Sequence, residues 1–311
     1  MSLVSIGLPV YNGEKYLPLA MESALAQTHT DLELVISDNG STDGTEEICR
    51  SFAAADERVR YLRQEQNRGA AWNHNAVVHA SRGEYFRWYS YDDQMDPRLI
   101  EACLAPLQAD PDLVLAYPLT YVMDDEGRVV EEYRSDLPWQ GTRASERLHN
   151  LLCAENVDTL LCWCYPVYGL MRRRVLLDTR LLRPHNSSDA VLLVELALRG
   201  RWHQVPERLF YSRRHAESSV GVHTPEQVAQ WFDPAASADR PMVRTMLFAG
   251  YVSAIWRAPL TPAERRRCFA TLGPWLRHNR NGRVVASELR HRARARVVAP
   301  VAAGRRTLRR P

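Results

Sequence analysis

Val4-Ser5-Ile6-Gly7-Leu8-Pro9-Val10 runs directly into Tyr11-Asn12-Gly13-Glu14. Two later stretches repeat that layout. Leu32–Ser37 leads into Asp38-Asn39-Gly40-Ser41-Thr42-Asp43-Gly44-Thr45, and Glu84–Tyr91 leads into Asp92-Asp93. Each is an apolar, strand-like run that ends in polar residues. In an open α/β sheet the carboxyl ends of the strands line one crevice, and ligands bind there. Three polar strand ends therefore converge on a single site rich in carboxylates. Such a site suits a metal-bridged diphosphate better than a bare anion.

Working outward, the first hundred residues alternate strand and helix. Strands are expected at Leu3–Val10, Leu32–Ser37, Val59–Arg63 and Tyr85–Tyr91. Between them, Glu14–Ala26 has Leu17, Ala20, Met21, Ala24 and Leu25 at helical spacing. Thr42–Ala54 reads as a helix capped by Ser41 or Thr42, and Gly69–Ala80 as another. Pro97–Leu107 has proline in its first turn and Asp96 as cap. This alternation predicts a mostly parallel, doubly wound sheet. Beyond Leu113–Tyr117 the pattern changes. Tyr121–Met123 and Arg128–Tyr133 flank the hairpin turn Asp124-Asp125-Glu126-Gly127. A helix over Arg147–Ala154, a long strand over Leu160–Arg172, an apolar helix over Asp189–Arg199 and a strand over Trp202–Tyr211 follow. From Thr224 the chain reads as helices only.

With 311 residues, 45% hydrophobic and 25% charged, the chain is of ordinary globular composition. No stretch reaches the ~18 apolar residues of a membrane span, and the N-terminus lacks a signal-peptide layout. A cytoplasmic location is expected. Cys49, Cys103, Cys153, Cys162, Cys164 and Cys268 are scattered, and Cys162-x-Cys164 has no second ligand pair for zinc. Free thiols are expected. Lys15 is the only lysine. The formal charge of +3 conceals an asymmetry: from Pro241 onward sixteen arginines face two acids, a net +14, which leaves −11 for the rest.

The motifs carry a family resemblance. Leu8-Pro9-Val10-Tyr11-Asn12, Ala24-Leu25-Ala26-Gln27-Thr28 and Asp38 to Thr45 occur in the order seen at the opening of family 2 glycosyltransferases. Asn67-x-Gly69, Asn75, Ala80-x-x-Gly83-Glu84-Tyr85 and Asp92-Asp93 continue the pattern, which spans roughly residues 3–215. Individually weak, these motifs are specific in combination. The resemblance implies a GT-A type, Rossmann-like fold with a C-terminal helical extension. It divides into a glycosyltransferase domain over 1–223 (nucleotide-sugar half 1–95, acceptor half 96–223) and a basic helical extension over 224–311. It also implies inverting transfer of a sugar from a nucleotide diphosphate donor, usually with Mn²⁺ or Mg²⁺.

Carried over residue by residue, the resemblance places the donor against Pro9, Tyr11, Asn12, Glu14, Asp38, Asn67, Gly69, His74, Asn75, Tyr91 and Asp93. Asp38 matches the carboxylate that accepts a hydrogen bond from the base, and Asn39 stands where a second Asp is usual. His74 stands where Arg is common, so a pH-dependent contact is expected there. The metal falls to Asp92 and, through Tyr211-x-Arg213-x-His215, to His215. The usual pattern is Asp-x-Asp-Asp; Ser90-Tyr91-Asp92-Asp93 lacks its first acid. A carboxylate must take the acceptor proton, and Asn186-Ser187-Ser188-Asp189 resembles the family's Glu-Asp segment, with Ser188 in place of Glu and Asp189 as base. The bland alternatives are helix caps and first-turn acids. Trp139 is the aromatic candidate for the acceptor side.

The acceptor is left open between glycan, lipid-linked and small-molecule hydroxyls. The basic helices fit an anionic membrane surface or an oligomer contact; nucleic-acid binding has charge in its favour but no motif. Two rivals remain: a degenerate nucleotide-sugar-binding protein, motivated by Ser90 and Ser188, and a nucleotidyltransferase, which would normally show a glycine- and Lys/Arg-rich phosphate loop near the first strand.

Overall fold

The computed structural model describes residues 2–133, 141–153, 165–216, 225–232 and 242–304. Strands β1 (Val4–Val10), β2 (Leu32–Asp38), β3 (Val59–Arg63) and β4 (Tyr85–Trp88) alternate with helices α1 (Leu17–Leu25), α2 (Thr45–Ala55) and α3 (Ala70–Ala80). Val4 lies beside Leu32 on one side and Tyr85 on the other, and Leu34 beside Val59, all in parallel. Every residue of β1 and β2 is buried, as befits parallel strands covered on both faces. Their carboxyl ends therefore share one edge, as the sequence predicts.

The second half contributes β5 (Gln94–Met95), α4 (Leu99–Ala109), β6 (Leu113–Met123), β7 (Val129–Tyr133), α5 (Ala144–Cys153), β8 (Leu170–Arg172), α6 (Arg173–Leu177), α7 (Ser188–Ala197) and β9 (Arg201–Arg213). The nine-stranded sheet has the order β3-β2-β1-β4-β8-β6-β9-β5, with β7 on β6. β6 and β9 are parallel; β8, β7 and β5 join antiparallel. Four helices follow: α8 (Pro225–Phe232), α9 (Val243–Arg257), α10 (Pro262–Arg277) and α11 (Asn281–Gly304). Among the described residues no helix is long and apolar enough to cross a membrane.

Three expectations are corrected. The strand from Tyr85 stops at Trp88, and the chain then turns, with the Tyr89 hydroxyl donating to the Asp93 carbonyl at 2.8 Å. The long strand ending at Arg172 is instead a 3₁₀ turn at Tyr165–Tyr168 followed by β8; Pro166 has no N–H for a ladder, and residues 160–164 lie outside those described. Conversely β6 is continuous through Pro118, where the register against β9 shifts, a bulge being where a sheet tolerates proline.

Two cores flank the sheet. One packs α1 and α4 under β1 and β2, through Leu17, Met21, Ile100 and Leu104. The other packs α5 and α7 together with α9 and α10, through Leu148, Leu192, Tyr251 and Trp275. The C-terminal helices thus share a core with α5 and α7. Trp275 is 1% exposed, with the rings of Phe248 and Tyr251 at 6.0 and 5.5 Å. Trp275→Ala is expected to cost about 3–5 kcal/mol of stability, read as a lower urea midpoint of a single transition that includes α7; a separate early transition for the C-terminal helices would contradict the shared core.

Candidate active site

The first two loops are laced together by backbone donors. Asn12 N–H donates to Ser41 Oγ at 2.9 Å, Thr42 N–H to Asn12 Oδ1 at 2.9 Å, and Gly13 N–H to Thr45 Oγ1 at 2.9 Å. Glu14 N–H reaches Asp43 Oδ2 at 3.1 Å, and Gly44 N–H reaches Glu14 Oε2 at 2.7 Å. Asn12 takes a left-handed φ of 51°, which asparagine tolerates better than most residues. Ser41 and Thr42 are thereby engaged with loop one, so the expected cap on α2 is absent and the helix starts at Thr45. Burial alone would raise the Asp43 carboxyl, but hydrogen bonds from Thr45 and from the Glu14 and Thr45 backbones hold it below its usual range.

Asp38 ends β2 fully buried. Its Oδ1 accepts Ser41 N–H at 2.8 Å, and its Oδ2 accepts the Tyr61 hydroxyl at 2.7 Å and Arg63 Nη1 at 2.6 Å. Asp38 therefore organises the second loop. Tyr11 sits at the rim, 41% exposed, while Pro9 is buried within β1 beside Ser37. Asn39 bridges to the third loop: its Nδ2 donates to Asn67 Oδ1 at 2.9 Å, and that same oxygen takes Gly69 N–H at 2.8 Å. Gly40, at φ 77°, lies where a Cβ would come within 2.9 Å of the Gln66 backbone, so only glycine lets these loops meet.

Two of the expected donor residues have partners within the chain. His74 Nδ1 is 2.9 Å from the Ala70 carbonyl, and burial holds its pKa down at about 4. Asn75 is engaged elsewhere, its Nδ2 donating to the Leu182 carbonyl at 2.8 Å and its Oδ1 accepting Leu182 N–H at 3.1 Å. Trp139 and Cys162-x-Cys164 lie outside the described residues.

The turn after β4 carries the acids. Asp92 Oδ2 lies 2.9 Å from His215 Nε2, and Asp92 Oδ1 accepts the Ser90 hydroxyl. Ser90, in place of the missing acid, thus orients Asp92. Asp93 faces inward: its Oδ1 accepts Arg213 N–H at 2.8 Å, and burial beside Asp92 pushes its carboxyl well above the usual range. Asp93 therefore tethers the end of β9. The Tyr91 ring packs over Gly13, where a Cβ would meet it at 2.8 Å.

A divalent cation fits this donor set. Two ligands set at right angles about 2.1 Å from a hard cation are about 3.0 Å apart, close to the observed Asp92–His215 spacing. Among the described residues no cluster of three or more His, Cys, Asp or Glu is placed to hold a metal, so diphosphate oxygens and water would complete the shell.

Asp189 lies in the first turn of α7, half-buried. Ser187 gives no side-chain cap to α7, and the buried Ser188 Oγ has no hydrogen-bond partner. Burial raises the Tyr168 pKa, and the charges of Asp93, Asp92 and Asp189 add to the rise.

Sequence reasoning missed the support of His215. The Tyr16 ring lies 4.9 Å from the imidazole, and its hydroxyl donates to Asp125. Lys15 Nζ meets the same Asp125 at 2.7 Å. The Arg213 guanidinium lies 4.8 Å over the Tyr16 ring and donates to the carbonyls of Asp92, Asp124 and Asp125. The β6–β7 hairpin tip is thus latched over the site. Asp125 is 109 residues from Tyr16, and no local pattern signals the pairing.

Sheet order, the carboxylate-bearing strand ends and the helical covers define a GT-A type α/β fold. The chain belongs to glycosyl transferase family 2, whose sequence model matches residues 5–179. It is 40% identical over 128 residues to a chondroitin synthase of Escherichia coli, covering 41% of this chain and 18% of that one. It is 37% identical over 124 residues to glycosyltransferase GlyG of Streptococcus pneumoniae, covering 40% and 41%. These matches span under half the length of either relative. Among solved structures, TarS 1–349 of S. aureus in complex with UDP-GlcNAc superposes with a TM-score of 0.62 at 17% identity, over 90% of this chain and 74% of that one. A mannosyltransferase of Pyrobaculum calidifontis in complex with GDP-Man and Mn²⁺ gives 0.52 at 16% identity, over 97% and 79%. At these identities the structures speak for the fold.

Two outcomes are expected. Tyr16→Leu removes the hydroxyl link and the ring beside His215, and should weaken Mn²⁺ binding, followed by electron paramagnetic resonance, about 10–100-fold. His74, near 6.5 when unfolded and about 4 when folded, takes up more protons in the unfolded chain between those values. Stability should therefore be complete above about pH 6.5 and fall toward about pH 4. Melting curves of His74→Gln should show a shallower loss.

Proposed function

We propose that the protein is an inverting glycosyltransferase that moves a sugar from a nucleotide diphosphate donor to an acceptor hydroxyl. The observation that carries this reading is the Asp92–His215 pair at 2.9 Å, set beyond the carboxyl end of β4. The nucleoside would lie against the exposed ring of Tyr11, on the loops that Asn12, Glu14, Asp38, Asn67 and Gly69 hold in place. Asp92 and His215 would hold Mn²⁺ or Mg²⁺, which when bound offsets charge on the departing diphosphate. The UDP-GlcNAc and GDP-Man complexes of the structural neighbours support a donor of this class.

Asp189 accepts the proton of the attacking hydroxyl. The acceptor oxygen bonds to the anomeric carbon from the face opposite the diphosphate. The anomeric C–O bond breaks with its electron pair leaving on the diphosphate, and configuration inverts. Tyr91 and the Ser90 hydroxyl shape the turn that presents Asp92; Asp93 and Arg213 hold that turn against β9. Glycan, lipid-linked and small-molecule acceptors share the hydroxyl this chemistry needs.

The test combines nucleotide-dependent melting with release of nucleoside diphosphate from a panel of UDP- and GDP-sugars. A nucleotide at about a hundred times its Kd should add about 2.7 kcal/mol of stability. Asp189→Asn should keep that stabilisation while turnover falls about 10²–10⁴-fold. Asp92→Asn should abolish the Mn²⁺-dependent part. A wild-type chain that is stabilised by nucleotide yet releases none from any donor would instead be the degenerate binding protein.

A further inference from the structure

The basic C-terminal helices take no part in the proposed chemistry. Both acids among their sixteen arginines are already engaged. Glu264 accepts Ser145 N–H at 2.7 Å and Arg267 Nη1 at 3.1 Å, and Glu288 accepts the Thr245 N–H at 2.8 Å and its hydroxyl at 2.6 Å. Arg257, Arg266, Arg277, Arg283 and Arg290 are exposed, and none has a carboxylate partner among the described residues. Among the described residues the acids of the body therefore leave these charges unpaired.

Two further features point to what covers them. Every residue from Leu289 to Arg294 on α11 is exposed, with Arg292 Nη1 reaching Met242 Sδ at 3.3 Å, so this stretch is a largely solvated arm. Its charges do not segregate to one side: at 100° per residue Arg292 falls on the sector of Val285 and Leu289. The arm therefore offers diffuse charge. A plane of repeated anionic head groups satisfies diffuse charge, whereas a protein patch needs matched shape. The second feature is Trp256 at the end of α9. At 70% it is the most exposed large hydrophobic side chain among the described residues, with the Arg265 guanidinium 5.8 Å from its ring. Tryptophan beside arginine is the pairing favoured at the level of lipid head groups.

We propose that the C-terminal helices dock the protein on an anionic phospholipid surface, with Trp256 at head-group depth and the arginines of α10 and α11 over the phosphates. Guanidinium forks match phosphate oxygens, so each arginine near the surface contributes about five-fold to partitioning.

The full chain, without nucleotide, is sedimented with vesicles of phosphatidylcholine alone or with about one third phosphatidylglycerol. Binding is expected only to the anionic vesicles, and should weaken between about 0.1 and 1 M salt as the screening length shortens from about 10 to about 3 Å. Reversal at Arg283→Glu, Arg290→Glu and Arg294→Glu together should cut partitioning about 100-fold, with the melting temperature unchanged because these side chains are solvated. Trp256→Ala should remove the part of the fluorescence quenching by brominated lipid that wild type shows. Equal binding to neutral vesicles, indifference to the charge reversal, or no vesicle binding would overturn the proposal. So would a salt-sensitive dimer abolished by the same reversal without vesicle binding, which would assign the arm to the acidic body of a second copy.

Discussion

The site depends on one crossing of the chain. β4 lies three strands from β9 in the sheet, yet Asp92 touches His215, 123 residues away. The bridge is β5, only two residues long, which pairs Gln94 with Tyr211 and Met95 with Phe210. Asp93 fastens the bridge by accepting Arg213 N–H, and Arg213 answers by donating to the Asp92 carbonyl. Burying two adjacent acids is costly. Part of that cost is offset by Arg87, which is fully buried between the rings of Tyr89 and Phe210 and lowers the Asp93 carboxyl by its charge. The fold thus invests a buried cation and a backbone donor in keeping the Asp92 carboxylate oriented toward His215.

The loops after β1, β2 and β3 follow a different rule. Their polar side chains bond mainly to backbone of neighbouring loops, so each loop is the template for the next. Asn12 fixes Thr42, Asn39 fixes Arg68, and Asn67 fixes Gly69. A surface built this way is formed before a ligand arrives, which spares the ordering cost of binding.

How much of this was legible in the sequence depends on distance along the chain. The three strand ends and their helices were readable because alternation and spacing are local signals. Asp92 and His215 were placed together by motif resemblance, and the structure brings them into contact. Ser41 and Thr42 look like caps because they precede a helix, but Asn12, some thirty residues earlier, claims them. Leu160–Arg172 looks like a strand because it is apolar, yet its described part is a 3₁₀ turn and a three-residue strand. His74 looks like a charge switch until its burial is known. Tyr16, Asp125 and Arg87 carry no pattern at all; their roles exist only once β6–β7 and β9 are folded against the first loop.

Lys15, the chain's only lysine, closes the latch at Asp125, and the carboxylate beside it raises its pKa. An ammonium held in this way is a poor nucleophile, whereas one released to solvent reacts more readily with acylating reagents. The protein therefore carries a single ε-amine, and its reaction rate reports how often the Lys15–Asp125 ion pair at the hairpin tip breaks. The state of that contact becomes measurable on the unmodified chain, with no introduced label.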